Sequence, residues 1–114
     1  MKYRPEAGDL VWTDFDPRVG REQSGRRPAL VVSPMAFWQA SGFAIVCPIT
    51  SRVRPFGTSV VLPVGFPIAG EILASHVRSI DTEARPVAYA GAAVPGVILA
   101  DVRAKLAALI GLEP

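Results

Sequence analysis

Cysteine and histidine are almost missing from this 114-residue sequence, which contains one of each, Cys47 and His76. A single cysteine cannot form a disulfide within the chain, and two such residues cannot supply the three or four ligands of a protein-held zinc ion. A metal site would have to consist of carboxylates alone. Asp14 and Asp16 are the candidates for it, but Asp16 already has a sufficient role in an Asp-Pro turn. We therefore expect no metal and no other cofactor.

The chain also lacks a long uninterrupted apolar segment and a recognisable export signal. Residues 28–51 carry no charge, but Pro28, Pro34 and Pro48 interrupt them, which favours buried core over a membrane span. The first residues contain no apolar segment followed by a small-residue cleavage site, so we expect a cytoplasmic protein without membrane contact. Apolar residues make up 50% of the chain and charged residues 19%, which indicates a folded protein, a single domain over residues 1–114.

Apolar patterning predicts a mainly β protein with one C-terminal helix. Short apolar or alternating segments are separated by Gly and Pro, which is typical of a small barrel of the SH3-like or OB kind. The predicted strands are 9–15, 29–32, 43–49, 59–62, 72–80 and, with a weaker pattern, 85–89, with one helical turn over 35–39. Apolar residues from Val97 to Ile110 recur at helical spacing, and Gly111 follows as a C-cap, so this segment is predicted to be an amphipathic helix.

Positive charge is concentrated in two short segments, although the net charge is only +2. Half of the twelve Lys and Arg residues lie in residues 18–27 and 51–57, where Glu22 is the single acid. If the two segments lie side by side, they form a cationic surface suited to a phosphate-bearing partner. The cations in these segments are Arg18, Arg21, Arg26, Arg27, Arg52 and Arg54.

The first cationic segment contains the residue types that metal-free RNA cleavage requires. Such a reaction needs a base for the 2′-hydroxyl proton, a cation for the developing phosphorane charge and a proton donor at the leaving 5′-oxygen. Glu22 is a carboxylate among arginines, and Gln23 can contact a base edge. The alternative is an exposed loop in which these charges pair weakly at the surface.

Hydroxyl and imidazole groups supply further candidates. Thr50 and Ser51 follow a buried strand, where binding groups often gather, although simple strand termination also explains them. His76 lies beside Ser75 within the predicted strand 72–80. Three roles are open for it: a catalytic group, a phosphate contact or a structural hydrogen-bonding partner. Cys47, within an apolar run, is interpreted as a small buried hydrophobe.

Read together, these segments resemble the MazF/PemK/Kid family of toxin endoribonucleases. The resemblance extends over nearly the whole chain, and its most specific part is the Gly-x-Glu-Gln-x-Gly-x-Arg-Pro pattern of residues 20–28. The matching segments are GDLVWTDFDP (8–17), VGREQSGRRPALVVSP (19–34), CPITS (47–51) and VRSID (77–81), with Arg85 and the terminal helix.

The resemblance implies an SH3-like, CcdB/PemK-type barrel of about five to seven strands with a C-terminal helix. It implies a homodimer that cuts single-stranded RNA at short sequences without a metal ion, leaving 2′,3′-cyclic phosphate and 5′-hydroxyl ends. This activity would inhibit translation and growth. It also implies a cognate MazE-like antitoxin, whose acidic C-terminal tail would compete with RNA for the cationic groove.

The resemblance also implies the roles of individual residues. Arg27 resembles the catalytic arginine, Thr50 the phosphate-contacting threonine and Glu22 the glutamate proposed as base in some members. Some members have a histidine where this chain has Arg21, which stays protonated and cannot be the base. The other expected RNA-binding residues are Arg18, Arg21, Gln23, Arg26, Ser51, Arg52, Arg54, Ser75, His76 and Arg78.

Two other interpretations remain open at this stage. Many members have Asp-Gln where this chain has Ser75-His76, so the chain can also be an RNA-binding relative that has lost activity. A gyrase-binding toxin of the CcdB kind, which performs no chemistry, would share the barrel and the dimer. The motif of residues 20–28 argues against that second alternative.

Overall fold

The computed structural model describes residues 2–15, 26–55 and 57–112. Seven strands and two α-helices are present in these ranges, together with one short 3-10 helix, Ala74–His76. The strands are β1 (Asp9–Thr13), β2 (Arg27–Val31), β3 (Phe43–Thr50), β4 (Ser59–Val61), β5 (Glu71–Leu73), β6 (Arg78–Asp81) and β7 (Val87–Ala93), and the helices are α1 (Met35–Ser41) and α2 (Gly96–Leu109). The mainly β prediction with a terminal helix is confirmed.

All strand pairs are antiparallel and belong to one seven-stranded sheet in the order β4-β5-β3-β2-β1-β7. The long strand β3 is its centre. One edge of β3 pairs with β2, and the other pairs with β6 along Phe43–Val46 and with β5 at Ile49 and Thr50. Among the described residues β4 and β7 end the path without pairing with each other, so the sheet is curled rather than hydrogen-bonded into a closed barrel.

The predicted strand 72–80 is wrong as a single element. It consists of β5 and β6, separated by the 3-10 helix Ala74–His76. Val46 pairs with Arg78, and the same register would place residue 75 opposite Ile49, yet Ile49 pairs with Ile72. Three residues are thus looped out beside Pro48, which has no N–H to donate to a ladder. His76 therefore ends a 3-10 helix instead of lying within a strand.

The central strands are buried on both faces, which the uninterrupted apolar pattern of β3 indicates. Leu10 and Cys47 belong to an apolar cluster on one face, and Val11 and Val46 belong to a cluster on the other. Val102 of α2 is fully buried in the first cluster, where Ile98, Leu99 and Leu106 also pack. The helix therefore covers one face of the sheet.

The last turn of α2 differs from the predicted amphipathic pattern. Leu109 is 43% exposed and Ile110 is 70% exposed, whereas Val102 is fully buried. Gly111 has a positive φ of 82° and donates its N–H to Ala108, and the N–H of Leu112 bonds to Ala107, which is a Schellman cap. The predicted glycine cap is confirmed. No helix in the described ranges is long and apolar enough to cross a membrane.

Candidate functional site

A cleft of about 550 Å³ opens where β2 begins and β3 ends. It is lined by three kinds of residue: arginines, hydroxyl-bearing residues and apolar side chains. The arginines are Arg26 and Arg27, the hydroxyls belong to Thr50 and Ser51, and the apolar wall includes Phe15 and Leu73. Two segments that are far apart in sequence and contain predicted site residues therefore meet in one cleft.

The pairing of β2 with β3 brings Arg27 and Thr50 to the same end of the sheet. Ala29 pairs with Pro48, and continuing this register places Arg27 opposite Thr50. Ala29 and Leu30 are buried, which anchors β2 in the core, whereas Arg27 at the start of the strand is exposed. A rigid strand thus presents its first side chain to solvent, a common arrangement at binding sites.

The Thr50 hydroxyl is oriented by the backbone that follows it. Its Oγ1 accepts the N–H of Arg52 at 3.1 Å, which turns the chain at the end of β3. A hydroxyl that accepts in this way still has its own proton to donate to a bound group. Ser51 is exposed on the same turn and lines the cleft.

Phe15 is a cleft residue that the sequence interpretation missed. The guanidinium of Arg78 lies 5.3 Å from the centre of its ring, which is a cation–π contact. Arg85 holds the backbone of Asp14, the residue before Phe15, because its Nη1 donates to the Asp14 carbonyl oxygen at 3.0 Å. An aromatic residue two positions after β1, directly before the Asp16-Pro17 pair in the sequence, was the available signal. Arg78, the first residue of β6, thereby reaches the edge of the cleft.

Glu71 was also missed, although the sequence contained a signal for it. It is the only charged residue between Arg54 and Arg78, apart from His76 if that is protonated. A lone charge in an apolar stretch requires a specific partner if it is buried. Its side chain is in fact buried and accepts hydrogen bonds from the connection between β3 and β4.

The arginines at the cleft are not neutralised by acids in the described part of the chain. Lys2 pairs with Glu83 and Lys105 pairs with Asp101, and none of these residues lines the cleft. Arg52 and Arg54 are exposed on the connection that follows Ser51. The surface around the cleft is therefore cationic and suits an anionic ligand.

Ser75 and His76 do not line this cleft, although Leu73, two residues before Ser75, does. Both are exposed on the 3-10 helix, and neither lines the cleft that Arg27 and Thr50 share. The side chains of Arg18, Arg21, Glu22 and Gln23 lie outside the described residues. Of the predicted site residues, the structure brings together Arg26, Arg27, Thr50 and Ser51, with Arg78 beside them.

Cys47 is excluded as a nucleophile by its surroundings. The residue is fully buried, and this burial raises the pKa of its thiol to about 12. We expect iodoacetamide at about pH 8 to leave folded protein unmodified and to alkylate Cys47 after denaturation, because only the accessible thiolate reacts. Intact-mass spectrometry measures this, and alkylation of folded protein at the rate of a free thiol would contradict the burial.

Comparison with known proteins agrees with this architecture. Residues 6–110 match the model of the PemK-like, MazF-like toxin of type II toxin-antitoxin systems. The endoribonuclease toxin MazF of Escherichia coli K12 is 38% identical over 110 residues, which cover 96% of this chain and 97% of that protein.

Solved structures give the same result. A crystal structure of MazF from Deinococcus radiodurans superposes with a TM-score of 0.86 and 44% identity, covering 96% of this chain and 99% of that one. A MazE-MazF structure from the same organism superposes with a TM-score of 0.88 and 42% identity, covering 97% and 100%. The chain therefore belongs to the PemK/MazF family of type II toxins, whose similar members are named endoribonucleases.

Proposed function

We propose that this protein is a metal-independent endoribonuclease that cuts single-stranded RNA at short sequences and thereby inhibits translation. The observation that supports this proposal is the convergence of Arg27 and Thr50 on one cationic cleft at the ends of β2 and β3. A guanidinium can bind a phosphate through two parallel hydrogen bonds, and a hydroxyl beside it can donate a third.

The proposed reaction is an intramolecular transesterification. The 2′-oxygen of the substrate attacks the neighbouring phosphorus and loses its proton to the Glu22 carboxylate, forming the new P–O bond. The bond from phosphorus to the 5′-oxygen then breaks, that oxygen takes up a proton from solvent, and Glu22 returns its proton to solvent. The products are a 2′,3′-cyclic phosphate and a 5′-hydroxyl, and no water or metal ion is consumed.

Arg27 and Thr50 have different roles in this proposal. Arg27 stabilises the charge that accumulates on the phosphorane and donates a hydrogen bond to the leaving oxygen as that oxygen takes up its proton. Thr50 donates its hydroxyl proton to the phosphate, while its oxygen is held by the N–H of Arg52. Glu22 is the proposed base since Arg21 cannot lose its proton near neutral pH.

The side chains around the cleft would hold the remaining nucleotides. Phe15 lines the cleft with an aromatic ring that a base can contact, and the Arg78 guanidinium over this ring can stack on the same base. Arg26, Ser51, Arg52 and Arg54 are proposed to contact phosphates or sugars, together with Arg18, Arg21 and Gln23. Ser75 and His76, being exposed on the 3-10 helix, would contact only RNA that extends beyond the cleft.

The same cationic surface suits an antitoxin partner. The Deinococcus radiodurans MazF structures include complexes with MazE. We propose that this chain forms a cytoplasmic homodimer that is neutralised by a MazE-like antitoxin. The acidic C-terminal tail of that antitoxin would compete with RNA for the cleft.

Cleavage of a long single-stranded RNA in excess EDTA tests the proposed function. We expect discrete cuts whose 3′ ends are cyclic phosphates, mapped by primer extension and by phosphatase resistance. Protein that retains RNA in a gel shift but makes no cuts would favour the inactive RNA-binding relative. Cuts only when a divalent ion is added would contradict the metal-independent mechanism.

A further inference from the structure

Glu71 is a buried carboxylate to which the proposed reaction assigns no task. Its side chain is 1% exposed, at the first position of β5. The next residue, Ile72, is fully buried, and Val61 lies opposite Glu71 on β4. A valine or isoleucine would suit such a strand position without the cost of removing a charge from water. The presence of a carboxylate here requires a specific compensation.

That compensation comes from both ends of the connection between β3 and β4. One carboxylate oxygen accepts the backbone N–H of Arg54 at 2.7 Å, and the other accepts the hydroxyl of Ser59. Ser59 is the first residue of β4, and Arg54 lies in the stretch that follows β3. One carboxylate therefore binds the backbone on one side of this connection and a side-chain hydroxyl on the other.

The position of Glu71 also relates it directly to the cleft. It pairs with Thr50 in the β3–β5 ladder, and Thr50 lines the cleft. The backbone between Thr50 and Arg54 is thus held at its start by the ladder and at Arg54 by the Glu71 carboxylate. The side chains of Arg52 and Arg54 remain exposed on this held backbone.

We propose that Glu71 is a positioning residue, which holds residues 51–55 beside the cleft so that Arg52 and Arg54 meet the RNA backbone already ordered. This inference rests on the proposed ribonuclease function, because it names the device that prepares that site for RNA. Ordering a segment before binding removes an entropic cost from binding itself. The effect should appear in RNA affinity rather than in the chemical step, which Glu71 does not touch.

Four variants test this role. Glu71→Ala removes the hydrogen bonds from the Arg54 N–H and the Ser59 hydroxyl, and Glu71→Gln keeps one oxygen to accept the Arg54 N–H and an amide to donate to Ser59. Ser59→Ala removes the bond from the Ser59 hydroxyl alone. Ser33→Ala is the matched control: it deletes another buried hydroxyl, which accepts the N–H of Ile45 at 2.9 Å at a site unrelated to residues 51–55.

Two measurements are made on each variant. Amide hydrogen exchange at Arg54, followed by NMR, reports whether the backbone is held. RNA cleavage in EDTA gives KM and kcat separately. We expect Glu71→Ala to accelerate exchange at Arg54 and to raise KM about tenfold, the size expected for losing a charge-assisted hydrogen bond, with kcat nearly unchanged. Ser59→Ala should accelerate exchange at Arg54 and raise KM by smaller factors. Glu71→Gln should have a KM close to that of wild type. Ser33→Ala should change neither the exchange rate at Arg54 nor KM.

The outcomes separate this inference from the function on which it depends. Unchanged exchange at Arg54 in Glu71→Ala, or faster exchange with an unchanged KM, overturns the positioning role while the ribonuclease function stands. If wild type binds RNA without cutting it, the proposed reaction fails, and the gel-shift affinity replaces KM in the same comparison. If wild type neither binds nor cuts RNA, the proposed ribonuclease function and the positioning role of Glu71 are both wrong. Should Glu71→Ala not fold, Ser59→Ala against Ser33→Ala decides the question.

Discussion

Replacing Arg27 with alanine should lower the rate of RNA cleavage by about two to three orders of magnitude, the usual cost of removing one preorganised group that stabilises transition-state charge. The side chain is exposed at the start of β2, so its loss leaves the core intact. We therefore expect an unchanged thermal unfolding temperature. Single-turnover cleavage of RNA in EDTA, with saturating enzyme, measures the effect on the chemical step.

Arg27→Lys is the informative companion to this variant. Lysine keeps the positive charge but loses the planar fork that binds two phosphate oxygens at once. We expect RNA binding close to that of wild type and a cleavage rate nearer to that of Arg27→Ala. A rate for Arg27→Lys equal to wild type would show that charge alone suffices, and wild-type cleavage by Arg27→Ala would remove Arg27 from the mechanism.

Gly70→Ala should be the most destabilising single-methyl change in the described part of the chain. Gly70 has a φ of +140°, and a Cβ at this position would lie 2.2 Å from the carbonyl oxygen of Thr50. Strain at such a φ and the collision with backbone add together, so we expect a loss of about 3 kcal/mol or more in the free energy of unfolding. Urea denaturation measures it.

Gly65→Ala separates the two contributions. Gly65 also has a positive φ, +112°, but nothing lies within 4 Å of a Cβ built there. Gly65→Ala should therefore lose only the free energy of unfolding that comes from backbone strain, about 1–3 kcal/mol. Equal losses for the two substitutions would mean that the contact with Thr50 is harmless. If the contact matters, surviving Gly70→Ala protein should also cleave RNA poorly, because the collision displaces the end of β3.

The sequence predicted those parts of the fold that depend on periodicity. The alternation in β1 assigns Leu10 to one face and Val11 to the other, and the two residues do lie in different apolar clusters. The spacing from Val97 onward locates α2 to within one residue at each end. Periodicity did not predict the break within residues 72–80. The 3-10 helix lies between two short strands whose apolar residues look like one strand in the sequence, and only the pairing with β3 reveals the shift in register.

The site was predictable where a motif named it and not where it depends on tertiary pairing. Arg27 and Thr50 belong to recognisable segments, and the structure places both at one cleft. Phe15 and Glu71 were missed because their importance follows from neighbours that are distant in sequence. Arg78 lies over the Phe15 ring, and Arg54 donates its N–H to Glu71. Only the folded strands bring these pairs together.

The ladder between β1 and β7 has a consequence for the order in which the molecule folds. Asp9 pairs with Ala93 and Thr13 with Val87, so one edge of β1 has no partner until residues 87–93 have been synthesised. Closing so long a loop is slow compared with forming local hairpins. During synthesis on the ribosome, β7 therefore joins β1 only after all the described residues that line the cleft have been made, and until then this edge of β1 is open to pairing with another strand.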